Sequence, residues 1–211
     1  MKTHGNRSIW ACCLVFVALL VALPSHASEG NYYSFSVGAG VASDAEFTFE
    51  GDPKEDVELD TGLVLGAAFG RGFGNYRVEG EIGYQKNDLG KIKSGPDAGD
   101  EPNGDVSSLS LMCNGYYDFE NLTQGGFTPY VSVGVGAVQL DVSLDDGSDK
   151  DIVFAWQVGA GVERSLNDTM FLDIFYRYFD PLKGSFTIDD DSLDVDTASH
   201  NFMVQLRIMT N

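Results

Sequence analysis

Seven charged residues interrupt otherwise apolar runs at alternate positions: Arg77, Glu79 and Glu81, then Glu163, then Asp173 and Arg177, then Arg207. Residues two apart on a strand share a face, so each run carries its charges on one side only. If that side is enclosed, the ions are tolerated only when paired and hydrogen-bonded. The set then reads as a salt-bridge network in which three arginines meet four carboxylates, with Asn114, Gln157 and Gln205 available for the remaining polar groups. Arg71 and Arg164 stand beside predicted turns and read as solvated ends of the same strands.

Other patterns carry less chemistry. His200 lies near Asp194 and Asp196, and such a pair can activate water, but its neighbour Ser199 falls on the opposite face of a strand, which is poor geometry for a nucleophile and its base. The stretch "DDGSDKD", Asp145 to Asp151, resembles a calcium loop yet lacks the glycine at the sixth place and the distal glutamate. Gly134 with Gly136, and Gly159 with Gly161, are not followed by a helix, as a phosphate loop requires, and read as small residues of an enclosed face. Cys113 has no partner cysteine beyond the leader, and no disulfide framework is expected. No catalytic residue, metal site or cofactor is assigned.

The elements that position these residues are strands. Period-two alternation between turn signals marks eight: Tyr32 to Ala42, Thr61 to Arg71, Tyr76 to Gln85, Val106 to Phe119, Phe127 to Leu140, Val153 to Arg164, Thr169 to Phe179 and His200 to Ile208. In "YRVEGEIGYQ", Val78, Gly80, Ile82 and Tyr84 oppose Arg77, Glu79, Glu81 and Gln85. A soluble sandwich would bury the first set, and an outer-membrane barrel the second. The connections alternate: short at 72–75, 120–126 and 165–168, and long at 44–60, 86–105, 141–152 and 180–199. An up-and-down meander puts every long connection at one end, which is the outer-membrane pattern of short periplasmic turns and long extracellular loops. Aromatic residues near the strand ends read as two girdles: Phe73, Tyr76, Phe119, Phe127 and Phe171 at the turns, and Tyr84, Tyr178 and Phe179 toward the loops.

Charge follows the same division. The chain carries 32 acidic and 13 basic residues, net −19, and the four long connections hold 24 of the acids with six lysines. A pI near 4.2 excludes the basic footprint that nucleic acid requires. Lys2 and Arg7 precede an apolar run from Ile9 to Leu23 and then "SHA", which reads as a signal peptide over residues 1–27 and a single barrel domain over 28–211.

At "YRVEGEIGYQ", "LMCNGYYDF", "TPYVSVGVGAV" and "FLDIFYRYF" the chain resembles the eight-stranded outer-membrane β-barrel family, which includes the OmpA-like transmembrane domains and related bacterial surface antigens. The resemblance implies an all-β, eight-stranded antiparallel up-and-down transmembrane barrel in the outer membrane of a diderm bacterium. The peptidoglycan-binding domain that some relatives append is not expected, and "LRIMTN" lacks the terminal aromatic residue usual in the family. The function expected is structural and surface-interactive, with a lumen closed by polar and ion-pair side chains. Its partners are outer-membrane lipid and lipopolysaccharide, divalent cations at the acidic loops, and host or other surface ligands. The alternatives are a narrow porin-like channel, a soluble secreted ligand-binding barrel and, last, an outer-membrane hydrolase.

Overall fold

The computed structural model describes residues 30–42, 45–49, 55–94, 104–144, 147–182, 184–188, 191–196 and 198–210. The predicted signal peptide lies outside them. Twelve strands follow one another: β1 (Asn31–Ala42), β2 (Ala45–Phe49), β3 (Glu55–Leu59), β4 (Gly62–Phe73), β5 (Tyr76–Ser94), β6 (Gly104–Asp118), β7 (Phe127–Leu144), β8 (Gly147–Ser165), β9 (Met170–Pro181), β10 (Gly184–Ile188), β11 (Asp191–Asp196) and β12 (Ser199–Thr210). One turn of 3-10 helix, Glu120–Leu122, lies between β6 and β7.

Eight strands pair antiparallel in the order β1, β4, β5, β6, β7, β8, β9, β12, and β12 returns to β1. The sheet therefore closes on itself and these strands have no free edge within the barrel. A line of pairing partners leaving β1 at Asn31 passes Arg71, Val78, Gly115, Val133, Val158, Tyr178 and His200 and re-enters β1 at Val41, ten residues further on. With about 3.3 Å per residue and about 4.8 Å between strands, that stagger tilts the strands by about 40°. Ten residues on such a strand rise about 25 Å, the height of the apolar band of an outer-membrane barrel.

The enclosed face is the charged one. On β5, Arg77, Glu79, Glu81 and Asn87 are buried, while Tyr76, Ile82 and Tyr84 are exposed. The other walls repeat this: Tyr32 and Ser34 face inward and Tyr33, Phe35 and Val37 outward on β1, and Asn201, Gln205 and Arg207 inward and Phe202 and Val204 outward on β12. A continuous belt of exposed Val, Ile, Leu and Phe around a closed sheet is a surface for lipid, not water, so the soluble-barrel alternative fails. Rings mark both margins. Tyr76, Tyr117 and Phe119 meet edge to face in sequence, with centroids 5.1 and 4.9 Å apart, at the short-turn end. Trp156 and Tyr178, 5.5 Å apart, stand at the other. Phe171 and Phe179 do not join the girdles: they are an even number of residues from Asp173, so the pleat turns them into the lumen, where Phe179 is buried.

Above the belt the two faces exchange character. Val106, Leu140, Val142 and Val153 are buried on the inner face of β6, β7 and β8. Ion pairs occupy the outer face, Lys86 with Asp105 at 3.2 Å and Lys150 with Asp141 at 2.5 Å. This inversion marks where the wall leaves lipid for water. It also corrects the loop reading of 141–152, since β7 and β8 continue pairing to Leu144 and Gly147 as a projecting hairpin. Four further strands lie within two connections that alternation leaves as loops. They extend the sheet in the order β5, β3, β2, β11, β10. With acids at adjacent and alternate places, as in "EDVEL" and "DSLDVD", they carry no clean period-two signal.

Candidate functional site

The lumen is filled in layers. Nearest the short turns, Arg77 of β5 grips Asp118 of β6 with both branches, Nε to Oδ2 at 2.8 Å and Nη2 to Oδ1 at 2.7 Å. Arg207 of β12 donates Nη2 to Glu163 of β8. The pairs are linked, because Arg77 Nη2 also lies 4.0 Å from Glu163 Oε2 and Arg207 Nε lies 4.0 Å from Asp173 Oδ2. Aromatic faces hold the guanidinium planes. Arg77 sits 4.5 and 4.9 Å from the ring centroids of Tyr116 and Tyr130, and Arg207 sits 5.2 and 4.8 Å from those of Tyr32 and Phe171. Such stacking is specific to arginine's flat, weakly hydrated head group.

In the next layer Glu79 is fully buried and bonded by neutral groups. Tyr32 donates its hydroxyl at 3.1 Å, Asn114 its amide at 3.3 Å, and Tyr116 its hydroxyl in a short bond. Above it, Arg177 of β9 binds both oxygens of Glu81 on β5, at 2.6 and 2.8 Å. In the ring of eight strands three lie between β5 and β9 on either side, so this pair crosses the full width of the barrel. Asn114 donates to Glu81 at 3.0 Å and accepts from Gln157 at 2.6 Å. Room for these amides comes from glycine: a Cβ at Gly134 would run into Asn114 Oδ1, and one at Gly159 would come within 2.7 Å of Ser132 Oγ.

Toward the long loops the filling is neutral. Ser199 and Asn201 each donate to Gln85 Oε1 at 3.3 Å, and Gln85 donates to Asn87 at 2.8 Å. Asn87 anchors the barrel mouth to the carbonyls of Gly40 and Asp60, at 3.0 and 2.7 Å. Among the described residues, small cavities lie beside Glu81, Gln157 and Arg177, of about 20 Å³, and between Gln85, Leu140 and Phe179, of about 30 Å³. Each has room for about one water.

All seven charged residues singled out in the sequence line this lumen, but they are not equally partnered. Both carboxylate oxygens of Asp173 are buried without a hydrogen-bond donor among the described residues, and Arg77 Nη1 and Arg207 Nε are buried without an acceptor. Asp118, Tyr32, Tyr116 and Tyr130 were not singled out. Asp118 shares a face with Asn114 by parity, and that was the available signal. Arg164 is exposed, 5.0 Å from the ring centroid of Phe127, whereas Arg71 is buried rather than solvated and lies 5.4 Å from that of Phe73.

The histidine motif separates. His200 points outward and its Nδ1 lies 2.6 Å from the Tyr176 hydroxyl, while Ser199 bonds Gln85 inside. No group of three or more His, Cys, Asp or Glu able to hold a metal occurs among the described residues. Asp145 and Asp146 of the calcium-like stretch lie outside them. Cys113 falls on the outward face of β6, between Leu111 and Gly115.

A closed, tilted sheet with an apolar outer belt and an ion-paired interior defines a transmembrane barrel of the bacterial outer membrane. Comparison with known proteins agrees. The family model described as outer membrane protein beta-barrel domain matches residues 13–207, and the chain belongs to that family. It is similar to the outer membrane protein PagN of Salmonella typhimurium, with 32% identity over 117 residues, 47% of this chain and 48% of that protein. The chain thus spans about half the length of this curated relative. Among solved structures it superposes on Neisserial surface protein A with a TM-score of 0.55 at 17% identity, covering 86% of this chain and 99% of that one. It superposes on the outer membrane protein AlkL, studied in lipid bilayers, with a TM-score of 0.51 at 20% identity, covering 90% and 94%. At these identities the two structures establish the fold alone.

Proposed function

We propose that this barrel is a closed structural element of the outer membrane that holds an acidic surface rim above the bilayer, and that it is not a steady pore. The Arg177–Glu81 pair carries this reading, because it spans the lumen between opposite walls at 2.6 Å. Below it, the Arg77–Tyr116–Tyr130 stack forms a second closure. The two cavities are separated from the short-turn end by both layers. Planar-bilayer recording of the purified barrel tests it. The proposal requires conductance at the background of the protein-free bilayer. A regular, reproducible unit conductance would favour the narrow porin-like channel and overturn it.

The rim sets the chemistry of surface partners. Twenty-four acids against six lysines in the long connections repel polyanions at physiological ionic strength within a Debye length of about 8 Å. Suitable partners are cationic surfaces, or lipopolysaccharide phosphates bridged by Mg²⁺ or Ca²⁺ through hard oxygen ligands. Binding of the barrel in vesicles to a lipopolysaccharide layer, with Mg²⁺ and then with chelator, checks the bridge. Adhesion to host surfaces belongs to the same proposal, through this rim. No catalytic role is proposed, since His200 and Ser199 are engaged with different partners on opposite faces.

A further inference from the structure

The outer wall is not evenly bulky. Across β8, β9 and β12 a groove of about 400 Å³ opens on the lipid side, where Ala160 leaves a gap beside Ile174, Tyr176 and Phe202. Register creates it. Ala160 pairs with Tyr176 and Tyr176 with Phe202, so one small residue stands in line with two rings. Ile174 and Phe202 form its rims, 55% and 60% exposed.

One outward position nearer the long loops, beside the groove, stands a polar pair. There the Tyr176 hydroxyl and His200 Nδ1 are 2.6 Å apart, and the His200 ring is flanked by Tyr176 and Tyr178 at 5.9 and 5.3 Å. With Nδ1 engaged, Nε2 is the ring nitrogen left for a ligand. The same cluster includes Trp156, and such amphipathic rings sit at head-group level.

We propose that this face holds one lipopolysaccharide molecule of the outer leaflet, an acyl chain lying along Ala160 and a head-group phosphate or hydroxyl meeting His200 Nε2. Three observations select this occupant. The groove lies within the apolar belt, so water does not fill it, and an empty groove would leave its lining without dispersion partners. The polar pair adjoins it on the long-loop side, which places the head group in the outer leaflet. His200 is also a hydrogen-bonding side chain that turns outward at that margin, where a lipid head group offers phosphate and hydroxyl partners.

The test is native mass spectrometry of the full barrel, extracted from outer membranes and washed in mild detergent. Ala160→Phe fills the groove, His200→Ala removes the polar contact, and Ala67→Phe adds the same bulk on β4, away from the groove. A heat-dependent gel shift verifies that each variant is folded. The proposal expects about one lipopolysaccharide per wild-type and Ala67→Phe barrel, at least tenfold less on Ala160→Phe, and partial loss on His200→Ala. Equal retention by wild type and Ala160→Phe overturns it. So does retention of phospholipid in place of lipopolysaccharide, or a wild-type dimer that Ala160→Phe abolishes, which would assign the groove to a second copy.

Discussion

Removing Arg177 tests the energetics of the lumen most sharply. Arg177→Met leaves Glu81, whose side chain is 4% exposed, without its bidentate partner in the middle of the barrel. Breaking a buried pair from one side costs about 3–5 kcal/mol. Asn114 still donates to Glu81 at 3.0 Å, which places the expected loss toward about 3 kcal/mol. Replacing both ions with apolar groups of similar volume removes the uncompensated charge, so Arg177→Met with Glu81→Met should recover most of that loss. Urea titration in lipid vesicles, followed by circular dichroism and by the gel shift, reads both quantities. Conductance of Arg177→Met should remain at background, because the Arg77, Tyr116 and Tyr130 layer still closes the lumen below. A single variant within about 1 kcal/mol of wild type, or a double variant no more stable than the single, would refute the reasoning.

Other substitutions separate hydrogen-bonded carboxylates from one held by charge alone. Asp173→Asn should be neutral or stabilising in the same titration, since neither oxygen receives a hydrogen bond, whereas Asp118→Asn, which weakens both contacts of Arg77, should cost about 3 kcal/mol. Tyr116→Phe removes one of three donors from fully buried Glu79 and should cost about 1–3 kcal/mol. Gly159→Val should lower the fraction that reaches the heat-shifted form, because its Cβ would sit 2.7 Å from Ser132 Oγ and 2.9 Å from the Tyr176 carbonyl.

Much of this architecture is written in period two. The eight barrel strands follow from alternation, and the inside of each follows once the charged face is recognised as the enclosed one. What alternation does not contain is pairing at a distance. That Arg177 meets Glu81, 96 residues away, depends on the ten-residue stagger of the closed sheet, which fixes the heights of opposite walls. Asp118 stands beside a turn, where composition gives no signal, and only its parity with Asn114 and Tyr116 puts it inside. For Phe171 and Phe179 proximity to strand ends suggests the girdles, and parity, the better guide, puts them inside. Where β6, β7 and β8 rise above the belt the rule that reads the membrane portion is reversed, with ion pairs outside and Val106, Leu140, Val142 and Val153 buried inside.

The claim on which all of this rests is that the apolar face meets lipid and the charged face is enclosed. Trp156 reports on it directly, lying on the outward face of β8 beside Tyr178. The chain has two tryptophans, and Trp10 falls in the stretch read as a signal peptide, so Trp156 is the single tryptophan of the barrel domain. Its fluorescence should be measured in vesicles whose acyl chains carry bromine, against unbrominated vesicles and against aqueous iodide. Strong quenching by the brominated chains with little by iodide is the outcome this barrel requires. Quenching by iodide alone, or by neither, would mean that the apolar face is turned away from lipid.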